Sequence, residues 1–151
     1  MRWRLLAVGR IGRGFLKRGC EHYAARLAKL APVEVIEVRE GRGSPEAVRA
    51  AEADALRARA DGLLVALDER GRSWTTSALA EHVAALELRG VSRISLAIGG
   101  AEGLDVALRD AADEVWRLSD LTLPHDLARL VTLEQLYRIE TVRAGHPYHR
   151  G

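Results

Sequence analysis

The sequence predicts an α/β domain built on a parallel sheet with helices on both faces. Two observations predict it. Short apolar runs of strand length recur along the chain, and a stretch of helical spacing or composition follows each of the first four. That alternation makes neighbouring strands parallel, because a crossover must carry the chain back before the next strand begins. No internal repeat, low-complexity tract or long linker interrupts the 151 residues, so 1–151 reads as a single domain.

The elements follow in order. Residues 3–8 (WRLLAV) read as a first strand, and residues 15–30 as a first amphipathic helix. Val33–Val38 is the second strand, after which GRGS at 41–44 is a loop. Ser44 and Pro45 then mark the start of a helix over 46–59: a hydroxyl to cap it, and a ring that fixes φ at its first turn. Residues 62–67 form the third strand and 75–88 its helix; Arg93–Ile98 is the fourth strand, with a shorter helix over 104–112. Residues 114–118 make a weaker fifth strand. A polar loop with the pair Pro124-His125 then leads into a long final helix, and the chain closes on HPYHR at 146–150.

A chain of this length buries roughly 68–70% of its unfolded surface and needs no covalent staple. Its single cysteine, Cys20, cannot form an internal disulfide and lies in an amphipathic stretch, where a buried thiol is expected. The opening MRWRLLAVGR is too short in its apolar part for a signal sequence or a membrane span, so a cytoplasmic protein with no membrane partner is expected. Net charge is only +2, yet the first thirty residues carry Arg2, Arg4, Arg10, Arg13, Lys17, Arg18, Arg26 and Lys29 against the lone acid Glu21. Such an excess suits a phosphate-bearing partner, because neutralised phosphates release counterions. The alternative is a set of ordinary solvated helix residues.

In open α/β sheets ligands sit beyond the carboxyl ends of the strands, which singles out three loops. They are Asp68-Glu69-Arg70-Gly71, Gly99-Gly100-Ala101-Glu102-Gly103, and the run from Ser119 to His125. Paired glycines let the backbone approach a ligand closely. Other patterns fail. The stretch Gly9-Arg10-Ile11-Gly12-Arg13-Gly14 has the order G-x-x-G-x-G, not the dinucleotide fingerprint, and reads as a turn displaying basic side chains. No Walker lysine and no G-x-S-x-G elbow occurs. His146 and His149 flank Pro147 without a third ligand nearby, so no metal site is expected.

Six separated motifs carry a more specific signal. LAVGR near the start, ALDERG at 66–71, IGGAEG at 98–103, LSDLTLPH, LEQLYR and the terminal HPYHR, in that order, resemble the bacterial RlmH family. Those proteins are 23S ribosomal RNA pseudouridine N3-methyltransferases of the SPOUT superfamily, and the likeness covers essentially the whole chain. It implies a C-terminal trefoil knot (the SPOUT α/β knot), with the segment from about Leu118 threading a loop of earlier residues. It also implies an S-adenosyl-L-methionine pocket lined by Leu67, Gly99, Leu118, Ser119, Asp120, Leu121, Thr122 and Leu123, mostly through backbone groups.

The family is homodimeric, and the last helix agrees. Leu127, Leu130, Val131, Leu133, Leu136, Tyr137, Ile139 and Val142 span too broad an arc for one face on a sheet, so a second face needs cover. A dimer would set one subunit's tail near the other subunit's cofactor; the alternative is a fully enclosed core helix. Methyl transfer to an imide nitrogen needs alignment, a base, and a donor that stabilises the developing anion. His125, Tyr148, His149 and Arg150 are the candidates, with a histidine as base and the arginine as electrostatic partner. For His125 the alternative is a helix-start residue that caps or packs locally. Arg10, Arg13, Lys17 and Arg18 then become contacts to 23S rRNA in the assembled ribosome, at its subunit-interface hairpin. Two other functions remain open: a knotted methyltransferase acting on transfer RNA, and a non-catalytic ribosome-binding protein.

Overall fold

The computed structural model describes residues 1–150. Its elements run β1 (Arg2–Val8), α1 (Phe15–Ala28), β2 (Val33–Val38), α2 (Pro45–Arg59), β3 (Leu63–Ser73), α3 (Thr76–Leu88), β4 (Arg93–Ile98), α4 (Val106–Ala111), β5 (Glu114–Arg117) and α5 (His125–Arg143). The strands form one sheet in the order β2-β1-β4-β3-β5, and every pairing is parallel. All five carboxyl ends therefore meet along one edge.

Alternating side chains on the strands feed two cores. Leu5, Val65, Leu96 and Trp116 pack under α1, α3 and α5, while Leu6, Val8, Ile36 and Ala97 pack under α2 and α4. Helices on both faces are thus a consequence of strands buried on both sides. Local caps set the helix starts: Ser44 Oγ accepts from Ala47 N at 3.2 Å, as the sequence suggests, and in the structure Thr75 Oγ1 also caps α3, accepting from Ala78 N at 3.1 Å. Asp105 accepts from Ala107 N at 2.7 Å, which starts α4 two residues later than expected.

One strand departs from expectation. β3 does not stop at Leu67 but resumes and reaches Ser73. Leu67 and Arg72 both register with Trp116 of β5, so residues 68–71 are expelled from the ladder as a wide bulge. Gly71 makes the return possible, since a Cβ there would stand 2.6 Å from the Trp116 carbonyl carbon. The expected loop is real, but it is an excursion within a strand.

α5 lies in the groove between α1 and α3, and this packing accounts for much of its broad apolar arc. Leu133, Leu136, Tyr137 and Ile139 are buried, and Leu127, Leu130, Val131 and Val142 are half-buried. The helices α1 and α5 approach closely at Gly19, where a Cβ would meet Leu130 Cδ1 at 2.9 Å. Trp3 Nε1 donates to Glu140 at 3.0 Å and ties the first strand to this last helix. Gly145, at φ 71°, ends it: Gly145 N donates to Val142 O and His146 N to Thr141 O, a Schellman closure.

Candidate active site

A cavity of about 600 Å³ opens over the carboxyl ends of β3, β4 and β5. Its walls are the β3 bulge, the glycine loop after β4, the run following β5, and the start of α5 at His125 and Ala128. Each wall is braced locally. Asp68 Oδ1 accepts from Arg70 N at 2.9 Å, and its other oxygen lies 3.6 Å from Arg109 Nη1 on α4. Gly103 N donates to Gly100 O at 3.0 Å, closing the glycine loop. At Gly99 a Cβ would stand 2.7 Å from the Gly103 carbonyl carbon, so that loop folds only around a bare Cα. Ser119 Oγ accepts from Leu121 N at 2.9 Å and shapes the last wall.

Most expected cofactor residues meet here. Leu67, Gly99, Leu118, Ser119, Leu121, Thr122 and Leu123 all line the cavity. Asp120 does not. Its carboxylate is exposed and pairs with Arg117 at 3.0 Å, because the turn held by Ser119 directs it outward. Arg70 and Glu102, from two of the loops that the sequence marks as ligand-facing, also line the cavity, as do Arg49 and Arg117. No local pattern marks Arg49 or Arg117, since each looks like a solvated charge until the elements pack.

The four proposed catalytic side chains are not gathered within one chain. His125 lines the cavity, its Nε2 3.3 Å from Asp126 Oδ1. It is the first residue of α5, and no side-chain hydrogen bond caps that helix, so a capping role is ruled out. Tyr148, His149 and Arg150 lie outside the cavity lining. The tail folds back on α5: Tyr148 donates to Glu134 at 3.1 Å, its ring stacks edge-on with Tyr137 at 4.7 Å, and His149 Nδ1 lies 3.2 Å from Arg138. Burial, a hydrogen bond with Tyr23 and the Glu134 carboxylate push the Tyr148 hydroxyl up to about 12. It is a proton donor at any ordinary pH. Arg150 is exposed.

Arg10, Arg13, Lys17 and Arg18 are all exposed on the loop after β1 and the first turn of α1. Cys20 is buried, and burial raises its thiol pKa. Among the described residues no cluster of three His, Cys, Asp or Glu side chains is placed to hold a metal ion, and no helix is long and apolar enough to cross a membrane.

The same fold occurs in solved structures. A probable methyltransferase of Bordetella pertussis Tohama I covers 92% of this chain and 96% of its own, with TM-score 0.56 at 19% identity. A Legionella pneumophila protein solved in complex with the bound cofactor SAM covers 91% of this chain and 66% of its own, with TM-score 0.50 at 12% identity. The family model described as "Predicted SPOUT methyltransferase" matches residues 1–149, so fold and cavity together define a SPOUT methyltransferase. Within that class the agreement narrows: the chain is 44% identical over 151 residues to a ribosomal RNA large subunit methyltransferase H of Thermus thermophilus, covering 99% of each. The chain belongs to the ribosomal RNA large subunit methyltransferase H family, the RlmH proteins resembled by its motifs.

Proposed function

We propose that this protein methylates 23S ribosomal RNA, at N3 of a pseudouridine in the subunit-interface hairpin of the assembled ribosome, with S-adenosylmethionine as donor. The observation that carries the reading is the glycine-walled cavity at the sheet edge, in a chain alike over its full length to a large-subunit rRNA methyltransferase. The residues present fit the donor. A cavity of about 600 Å³ lies within the range of cofactor sites. Gly99 lines that cavity with bare main chain, and Leu118 with Leu123 supplies apolar contact for a flat base.

When bound, the cofactor supplies an electrophilic methyl group on sulfonium. Leu67, Gly99, Leu118, Ser119, Leu121, Thr122 and Leu123 would hold it, and the chain from Leu118 onward would enter the trefoil knot. His125 is the base: Asp126 Oδ1 accepts a hydrogen bond from Nε2–H, which keeps that proton on Nε2 and leaves Nδ1 to accept the imide proton from the substrate. Arg150 would donate to one carbonyl flanking that nitrogen as negative charge develops, and Tyr148, protonated throughout, would exchange its hydrogen bond to Glu134 for the other. Because the tail lies outside its own chain's cavity, these groups act in the site of a second copy, and the working unit is a homodimer. Arg10, Arg13, Lys17 and Arg18 contact phosphates of the RNA. Action on ribosomes implies a cytoplasmic protein.

The test is transfer of labelled methyl to ribosomes with and without the pseudouridine, to protein-free 23S rRNA and to transfer RNA. Labelling of pseudouridine-bearing ribosomes alone is expected. Equal labelling of uridine-bearing ribosomes, or preference for transfer RNA, would overturn the substrate assignment.

A further inference from the structure

α2 carries two charged side chains one turn apart beside the cavity, Arg49 and Glu52. Arg49 lines the 600 Å³ space itself. Glu52 is only 4% exposed and lines an adjoining cavity of about 190 Å³, which shares Gly100, Ala101, Glu102 and His125 with the larger one. Its Oε2 accepts from Gly41 N at 3.0 Å, while its Oε1 is buried without a hydrogen-bond partner among the described residues. A carboxylate oxygen left this way is costly, which suits a site that a ligand completes. Gly100 leaves the approach open: a Cβ there would stand 3.1 Å from Oε1 and 3.0 Å from Val8 Cγ1.

The lining states what kind of donor belongs there. Glu40 and Glu102 join Glu52 around the smaller cavity, so a phosphodiester is repelled and a cation is attracted. Among the described residues these carboxylates and His125 are not placed close enough together to hold a metal ion, so the cation that suits the site is an organic ammonium. One helical turn away, Arg49 offers the opposite charge on the same helix face. An ammonium and a carboxylate on one carbon are the signature of an α-amino acid.

We propose that α2 grips the amino-acid end of S-adenosylmethionine: Glu52, helped by Glu40 and Glu102, takes the α-ammonium, and Arg49 takes the α-carboxylate. This rests on the reading of the larger cavity as the cofactor site. It adds an electrostatic clamp, remote from the run after β5, that selects the intact amino-acid moiety.

Calorimetry of the full-length protein with three probes separates the parts. S-adenosylhomocysteine carries both charged groups, decarboxylated S-adenosylmethionine only the ammonium, and methylthioadenosine neither. Glu52→Gln is expected to weaken the first two at least tenfold and leave methylthioadenosine unchanged. Arg49→Ala is expected to weaken S-adenosylhomocysteine alone. Should Glu52→Gln fail to fold, Gly100→Ala, which covers Oε1, is expected to reproduce its pattern. Wild-type affinity in these variants, or an equal loss for all three probes, overturns the clamp. So does intact probe binding with raised KM for ribosomes, which would make the smaller cavity a reader of the target base. If the wild-type protein binds none of the probes, the cofactor reading itself falls and the clamp with it.

Discussion

The Arg129 guanidinium lies 2.5 Å from the Glu37 carboxylate, a contact that joins the second turn of α5 to the end of β2. Arg129 is 2% exposed and also donates to Gly9 O at 3.1 Å, while Glu37 accepts from Ile11 N at 2.8 Å. One ion pair therefore fixes the basic loop after β1 against the helix that begins with His125. The surface proposed to hold RNA and the cavity proposed for chemistry share this strut.

Glu37→Gln leaves Arg129 buried with a weakened partner. Breaking such a pair costs roughly 3 kcal/mol, the low end of the usual range because Glu37 is partly solvated. For a domain of this size that corresponds to a fall in Tm of about 6–12 °C. Differential scanning calorimetry reads it, and an unchanged Tm would show that the pair does not brace the fold.

The same pair makes stability depend on acid. Burial works to raise the Glu37 pKa, but the hydrogen bonds from Arg129 and Ile11 and the nearby cations outweigh it, and the net direction is down. Glu87 is lowered too, by the Met1 ammonium and Arg143. Groups depressed in the folded state contribute stability above their unfolded pKa and lose it as pH falls through the folded value. Denaturant midpoints should therefore hold steady at neutral pH and decline below about pH 4.5. In Glu37→Gln the decline should be shallower.

Gly99→Ala places a methyl group against backbone, not against a side chain that can swing away. We expect at least a tenfold loss of S-adenosylhomocysteine affinity with the far-ultraviolet circular dichroism preserved. Gly12→Ala is the control: its Cβ would meet nothing within 4 Å, so binding should match the parent.

His125→Ala should lower methyl transfer by about 10² or more, in the range for loss of a positioned base, with cofactor affinity within a few-fold of the parent. Tyr148→Phe removes the donor to Glu134 and should reduce transfer about tenfold or more. Mixing Tyr148→Phe chains with His125→Ala chains gives a sharper check. Recovery of activity in the mixture is expected if each site draws on two copies, and none if the tail serves its own chain.

Association with ribosomes should weaken steeply with salt. Neutralising about four phosphates gives a logarithmic slope of roughly −3 to −4, and replacing Arg13 and Lys17 by alanine should make it shallower by about 1.5 to 2. An unchanged slope would remove those two side chains from the interface.

Much of this was legible along the chain because it rests on neighbours in sequence. The alternation of strand and helix, the Ser44 cap and the buried Cys20 depend on residues a few positions apart, and the structure agrees with them. The glycine loop at 98–103 and the run after β5 were likewise visible as ligand-facing segments, since parallel strands bring their carboxyl ends to one edge.

What tertiary structure alone decided depends on partners far away in sequence. The bulge at 68–71 exists because β3 meets Trp116 of β5 twice, and no pattern within β3 announces its partner's register. The tail folds onto Glu134 and Arg138 of α5 instead of its own cavity. Arg49 and Glu52 look like solvated charges on a polar helix, and only the packing of α2 beside Gly100 buries one and aims the other. Local hydrogen bonding and side-chain periodicity write themselves into the sequence; burial and charge environment arise only when distant segments close on one another.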